Sequence, residues 1–187
     1  GSIVNFNRDA YDRLSFFELW VQKALRQEGL LHVDETGINI GGKRCWLHNV
    51  SSPGLSHFAP HEKRGSEAIE AIGILPGFTG ILCHDHWKPY FHYGRFHALC
   101  NAHHLRELER AWEQDGQQWA QQLSVLLKEA NQAVHDADGC LDAATAEQHR
   151  VRYRELLQQA ELECPPPEPQ PKNGKRGRTA KSKSRNL

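Results

Sequence analysis

Residues 80–107 read GILCHDHWKPYFHYGRFHALCNAHHLRE, and they hold six of the chain's twelve histidines and two of its five cysteines. The first five, Gly80 to His84, form a short apolar run that ends on Asp85. An ionisable cluster at the end of a hydrophobic segment is a common way to build an α/β site. The strand fixes the backbone and the polar groups project from its open end. Upstream, Pro76-Gly77 breaks the pattern, and Ser66 is a good N-cap for a helix through Ile72, with Glu67 well placed in its first turn. Lys63-Arg64-Gly65 reads as a basic turn before that helix. Strand, helix, strand in this order predicts a parallel crossover and hence an α/β sheet. Gly80–His84 is then a strand buried on both faces, and Phe96–Cys100 a fifth strand.

Toward the N-terminus, Leu30–Glu35 (LLHVDE) has strand character and ends in Asp34-Glu35, followed by Thr36-Gly37. A second short run, Ile38–Ile40, meets the hairpin signal Gly41-Gly42, and Arg44–Val50 returns. After a turn over Ser51–Gly54, Leu55–His61 forms a third strand, so this part reads as a β-meander whose first strand ends in acid. From about Asp9 to Glu28, Leu14, Phe17, Trp20, Val21, Ala24 and Leu25 recur with a 3.6-residue rhythm. That predicts an amphipathic helix stopped by Gly29, with the stripe packed on the next element. Beyond Ala102 the apolar pattern is helical almost throughout 103–163, with breaks at Gly116 and around Gly139, which predicts two or three antiparallel helices. After Cys164 come PPPEPQP and KNGKRGRTAKSKSRNL, an extended linker and a disordered basic segment by composition.

The 187 residues suit one domain plus an appendage. The apolar share, 39%, is low for a compact domain, and the mean hydropathy of −0.68 points to polar helices or a disordered tail. Net charge is zero, but residues 165–187 hold seven basic residues (Lys172, Lys175, Arg176, Arg178, Lys181, Lys183, Arg185) against Glu168. That segment is +6 and the remainder −6, so attraction to polyanions concentrates at the tail. No apolar run approaches the roughly 18 residues of a membrane span, and no signal peptide opens the chain. An odd, irregular set of cysteines argues against a disulfide framework and for a reducing, cytosolic setting.

Asp34 and Asp85 each close a predicted strand. If the strands are neighbours, two carboxylates converge at one sheet edge. Hard cations such as Mg²⁺ take oxygen ligands, and two of them about 3.5–4 Å apart support phosphoryl transfer. An acid at a strand end is equally able to stay solvated or cap a turn. Zinc competes through Cys100 and His103, a C-x-x-H unit with Cys83, His84, His86, His92, His97 and His104 nearby, yet no partner pair has diagnostic spacing, so zinc is disfavoured. Cys100 and His103 then shape the junction between the last strand and the next helix. Lys63 and Arg64 before an N-capped helix suit a phosphate, or a plain surface turn. Trp87, Lys88, Tyr90, Phe91, His92 and Tyr93 suit base stacking, or a half-buried loop. The basic tail suits DNA or RNA phosphates, or solvent. No P-loop, Rossmann glycine pattern, G-x-S-x-G or H-E-x-x-H is present.

Three blocks, HVDETGINIGGKRCWLHNVSS, HEKRGSEAIEAIGILPGFTGILCHDHWKPYFHY and HALCNAHHLRELE, resemble the transposases of bacterial insertion-sequence family sixty-six, in order and over nearly the whole chain. The resemblance implies a ribonuclease-H-like mixed sheet with flanking helices. It also implies a DDE carboxylate set holding Mg²⁺ or Mn²⁺, with the first Asp at Asp34 and the second at Asp85. On this reading residues 1–104 are a partial catalytic core, 105–163 an α-helical insertion and 164–187 the linker. The family's last Glu lies in a block resembling D-N-N-x-A-E-R, which residues 1–187 do not contain. Glu107, beside Glu109, is a poor substitute because it falls in the H-L-R-E-L block. The chain therefore reads as a front part, inactive alone because the third carboxylate is missing, with weak metal binding and little or no strand transfer. Its expected partners are DNA (transposon ends and target) and other transposase chains, in a bacterial cytoplasm near the nucleoid, with no membrane. The alternatives are a non-enzymatic nucleic-acid-binding remnant acting through the tail and a small zinc-stabilised interaction module.

Overall fold

A computed structural model describes residues 1–165. It divides into two compact units, residues 1–100 and the chain from Asn101 onward. The expected linker and all seven tail cations fall outside the described residues, save Cys164 and Pro165 at its start.

The first unit is a mixed five-stranded sheet flanked by helices. Its strands are β1 (Leu30–Ile40), β2 (Lys43–Ser51), β3 (Ser56–His61), β4 (Ile81–His84) and β5 (Phe96–Leu99), in the order β3-β2-β1-β4-β5. The meander is antiparallel, while β4 joins β1, and β5 joins β4, in parallel. The β1–β2 turn is Gly41-Gly42 with φ of 57° and 80°, the left-handed pair that a tight hairpin demands. Helix α2 (Ser66–Ile72) supplies the crossover into β4, and a 3-10 turn over Lys88–His92 leads toward β5. The core beneath one sheet face gathers Leu31, Val33, Val50, Ile69, Ile74, Leu75, Leu82 and Tyr90.

Three expectations need correction. β1 does not stop at Glu35 but runs through Thr36-Gly37 to Ile40, because both residues pair with β2, at Leu47 and Trp46. β4 is buried on one face only: Leu82 and His84 are inside, while Ile81 is exposed, as strand alternation requires. Helix α1 (Ser2–Arg26) starts well before Asp9, and of its predicted stripe Val21 and Leu25 are buried while Leu14, Phe17 and Trp20 stay exposed. Its C-terminal half meets β3, where Gln22 and Glu18 both reach the buried His57, at 3.1 and 3.3 Å.

The second unit is helical: α3 (Asn101–Asp115), α4 (Gln118–Asp136) and α5 (Ala143–Glu163). Leu108, Ala111, Trp119, Leu123, Leu126 and Leu156 make its core. The breaks fall where glycine predicted them. Asp142 caps α5 by accepting from the Ala144 and Thr145 amides. The Glu163 carboxylate, from the end of α5, accepts the Gln118 amide at 2.8 Å and so fills an orphan donor at the start of α4.

The entry into β4 is tight. A Cβ on Gly80 would lie 2.6 Å from the Gly29 carbonyl oxygen and 3.0 Å from that of Glu28, both backbone atoms. The same Gly29 carbonyl accepts the Ile81 amide at 2.9 Å, so the approach is what starts the β1–β4 ladder. Gly80→Ala should therefore destabilise the chain by about 1–3 kcal/mol, the usual cost of overpacking. Urea unfolding checks it, with Gly54→Ala, whose added Cβ meets nothing within 4 Å, as the neutral control.

Candidate active site

The parallel register sets the site. Leu30, Leu31 and His32 pair with Ile81, Leu82 and Cys83. Continued by two residues, the same offset places Asp34 opposite Asp85, on the face away from Leu31 and Leu82. Their carboxylate oxygens come within 4.8 Å of each other. Across the hairpin Asp34 pairs with Asn49, and the β4–β5 offset brings Cys100 into the same row beside Asp85. Cys100 extends that ladder, its amide donating to the His84 carbonyl at 2.8 Å.

Asp34 is exposed and lies mid-strand, at the point where β1 outruns its parallel neighbour rather than at its own end. Its Oδ1 accepts the Glu35 amide at 2.9 Å. Asp85 is half-buried and begins a sharp turn. His86 adopts φ 55°, uncommon for a residue with a side chain, and this reverses the chain so that the Trp87 amide donates to Asp85 Oδ1 at 3.0 Å. Each aspartate is thus held through one oxygen by backbone. Two carboxylates this close repel by about 1 kcal/mol across water, a modest cost that a shared cation reverses.

The neighbouring acid has the opposite fate. Strand alternation turns the Glu35 side chain toward the core, where it is 1% exposed. Arg64 donates to its Oε1 through Nε at 2.7 Å and lies 2.6 Å away through Nη2, and the Tyr90 hydroxyl donates to Oε2. The Arg64 guanidinium lies over both the Trp46 and Trp87 rings, 4.8 and 4.4 Å from their centroids. Lys63 stands at the same turn, its amide donating to His61 Nδ1 and its carbonyl accepting from His48 Nε2.

The histidine-rich stretch splits into separate environments. His84 is fully buried, with Nε2 3.1 Å from His97 Nδ1 and its ring against Phe91 and Tyr90. Burial, then the His97 ring beside it, lowers its pKa. Cys83 is close to Cys100, and burial followed by that neighbour raises the Cys83 thiol. His103 and Glu107 lie on α3, in the second unit, with His103 in the first turn beyond Cys100.

Sequence reading overlooked Glu35, Trp46 and Asn49, and it offered Tyr90 for base stacking or a half-buried loop rather than as a partner of Glu35. Asn49 was recoverable, since a two-residue turn at Gly41-Gly42 pairs residues 34 and 49. Glu35 was recoverable too, because Leu31, Val33 and Glu35 share one parity. The long-range ties of Arg64, Trp46 and Tyr90 left no local mark.

The family model described as "Transposase IS66 family" matches residues 2–186. The chain belongs to the IS66 transposase family. No curated protein and no solved structure matches it. For this IS66-family chain the matched span covers both units, so the aspartate pair and the helical unit lie within the family domain.

The buried imidazole yields a pH prediction. Burial, then the His97 ring, holds the His84 pKa below the ordinary 6.5, so the folded protein takes up this proton less readily than the unfolded chain. As pH falls through the ordinary value the unfolded chain binds the proton first, so stability is full above it and declines on acidification. Tm should drop between about pH 7 and about pH 5, and the drop should be shallower in His84→Gln. Parallel slopes for the two proteins by calorimetry would refute this.

Proposed function

We propose that this chain carries the catalytic aspartates of a DNA transposase that cleaves and joins DNA at insertion-sequence ends. The observation that carries the reading is the approach of Asp34 and Asp85 to within 4.8 Å on one sheet face. Carboxyl groups more than about 8 Å apart do not share a two-cation site of the usual 3.5–4 Å spacing, and these are well inside that limit. Family membership and the antiparallel-then-parallel sheet support a ribonuclease-H-like core, with residues 105–163 as a helical insertion.

The donor set fits a hard divalent cation, Mg²⁺ or Mn²⁺: two carboxylates, each with one oxygen engaged by a backbone amide. When bound, such cations offset the charge developing on a phosphodiester and acidify a water. Asp34 and Asp85 would hold them, with Asp85 oriented by the Trp87 amide. Lys63 and the cations between Lys172 and Arg185 attract the DNA backbone, whose contacts are salt-dependent. Arg64 is tied to Glu35, so its part in phosphate contact is secondary. No helix among the described residues is long and apolar enough to cross a membrane.

A third carboxylate of the D-N-N-x-A-E-R kind is not among residues 1–187, and Glu107 is the weaker substitute. Groups that act as a unit lose most of their rate when one is missing. On this reading the chain alone binds metal weakly and transfers strands little.

Titration with Mn²⁺, followed by the free-ion paramagnetic resonance signal, tests the pair. Asp34→Asn and Asp85→Asn should each weaken binding by about 10-fold or more, with the fold intact by circular dichroism. Unchanged binding in both variants rejects the site. Robust Mg²⁺-dependent DNA cleavage by this chain, abolished in Asp34→Asn, would keep the site and reject the weak activity.

A further inference from the structure

We infer that the buried Glu35 carboxylate, with Tyr90 and Arg64, is a positioning device that sets how closely Asp85 stands to Asp34. The inference rests on the reading of those aspartates as a cation-binding pair.

The sheet does not do this alone. The β1–β4 ladder ends at His32 and Cys83, two residues before either aspartate, and Asp85 already belongs to the turn that His86 bends. The placement of that turn needs a second constraint. Glu35 supplies it from the opposite face of β1, one residue from Asp34. A carboxylate so deeply buried requires compensating partners, and both come from outside β1. Arg64 arrives from the loop before α2. Tyr90 arrives from the 3-10 turn that begins at Lys88, three residues after Asp85.

The two partners converge on the same turn. Tyr90 ties it to Glu35 by its hydroxyl, and its ring meets Trp87 edge-on at 5.3 Å. Arg64 ties it again through its guanidinium, which lies 4.4 Å from the Trp87 ring centroid and 4.8 Å from that of Trp46 in β2. The Trp87 amide then holds Asp85 Oδ1. A continuous path of short contacts therefore runs from the residue next to Asp34 to the carboxylate of Asp85. Burial, then the bond to Glu35, pushes the Tyr90 phenol up, so its hydroxyl stays a donor across the working pH range.

The same core contains an internal comparison. Tyr93 also donates its hydroxyl to a glutamate, Glu70 of α2, at 2.7 Å, and burial raises its pKa to about 12. That pair joins the end of the same turn to a helix and leads to neither aspartate. A contact that merely stabilises the core would behave like Tyr93–Glu70. A contact that positions Asp85 would not.

The test compares Tyr90→Phe with Tyr93→Phe in the full chain, each removing one oxygen. Two readouts are taken: Mn²⁺ affinity, and hydrogen exchange of the Trp87 amide in metal-free protein. Tyr90→Phe should weaken Mn²⁺ binding by about 10-fold, as loss of an outer-shell partner does. It should also speed Trp87 exchange by about 2- to 10-fold, the factor that one net hydrogen bond represents. Tyr93→Phe should leave both near wild type. Should Tyr90→Phe fail to fold, Arg64→Lys carries the same comparison, since it keeps a cation for Glu35 and loses the planar stack. Wild-type Mn²⁺ affinity in Tyr90→Phe, or equal effects of the two tyrosine substitutions on Trp87 exchange, overturns the inference. If neither aspartate variant alters Mn²⁺ binding, the cation reading fails separately, and the metal-free Trp87 comparison still decides the positioning role.

Discussion

The parallel pairing of β1 with β4 is the constraint on which the first unit depends. It spans three residue pairs, beginning where Gly80 lets the two backbones close to contact distance. Every later relation follows from its offset. Leu31 and Leu82 share the core face, as do Val33 and His84, and the intervening positions share the other. Because side chains alternate strictly along a strand, one short ladder assigns a side to each ionisable residue that follows. Asp34 and Asp85 come together as a consequence of that offset, and the hairpin adds Asn49 to the row.

The electrostatics of the two faces differ in kind. On the outer face, the aspartates tolerate each other's charge because water screens them. On the core face screening is lost, and a lone carboxylate would be strongly penalised. Glu35 survives there because a guanidinium and a phenol saturate it, with two indole rings flanking the guanidinium. Such a pair adds little net stability compared with an apolar filling, yet it is costly to break on one side. That asymmetry suits a contact whose value is geometry.

Much of this was legible from sequence, and the failures have physical causes. The strands, the crossover helix and the helical breaks were marked by β-branched runs and glycines, although Gly65 and not the expected Ser66 is the N-cap of α2. Thr36-Gly37 read as a break because glycine usually punctuates; here it is a strand residue whose missing Cβ leaves room for the Arg44 guanidinium, 2.7 Å from where a Cβ would sit. The α1 stripe had the right period for a buried face, but burial depends on whether another element reaches it, and β3 meets the C-terminal half alone. Asp34 and Asp85 stood out by type and position. Arg64 looked like an anion ligand because its partners lie 29 residues back, at Glu35, and across the sheet, at Trp46 and Trp87.

The adjacency of Asp34 and Glu35 shows how little separates this site from a different one. A slip of β1 by one residue would bring Glu35 to the exposed face and send Asp34 into the core, since the side-chain period is two. Asp34 would then face Arg64 and Tyr90 with a side chain one methylene shorter, and the outer face would carry a longer, less constrained acid. Two features oppose the slip. The left-handed glycine pair at 41–42 fixes the β1–β2 register from one end, and the Gly29–Gly80 approach fixes β1 against β4 from the other. The Glu35 network adds a third opposition, because its partners complement a glutamate at that depth. The buried acid therefore favours the register that exposes its neighbour, and the placement of Asp34 depends on a residue that faces away from it.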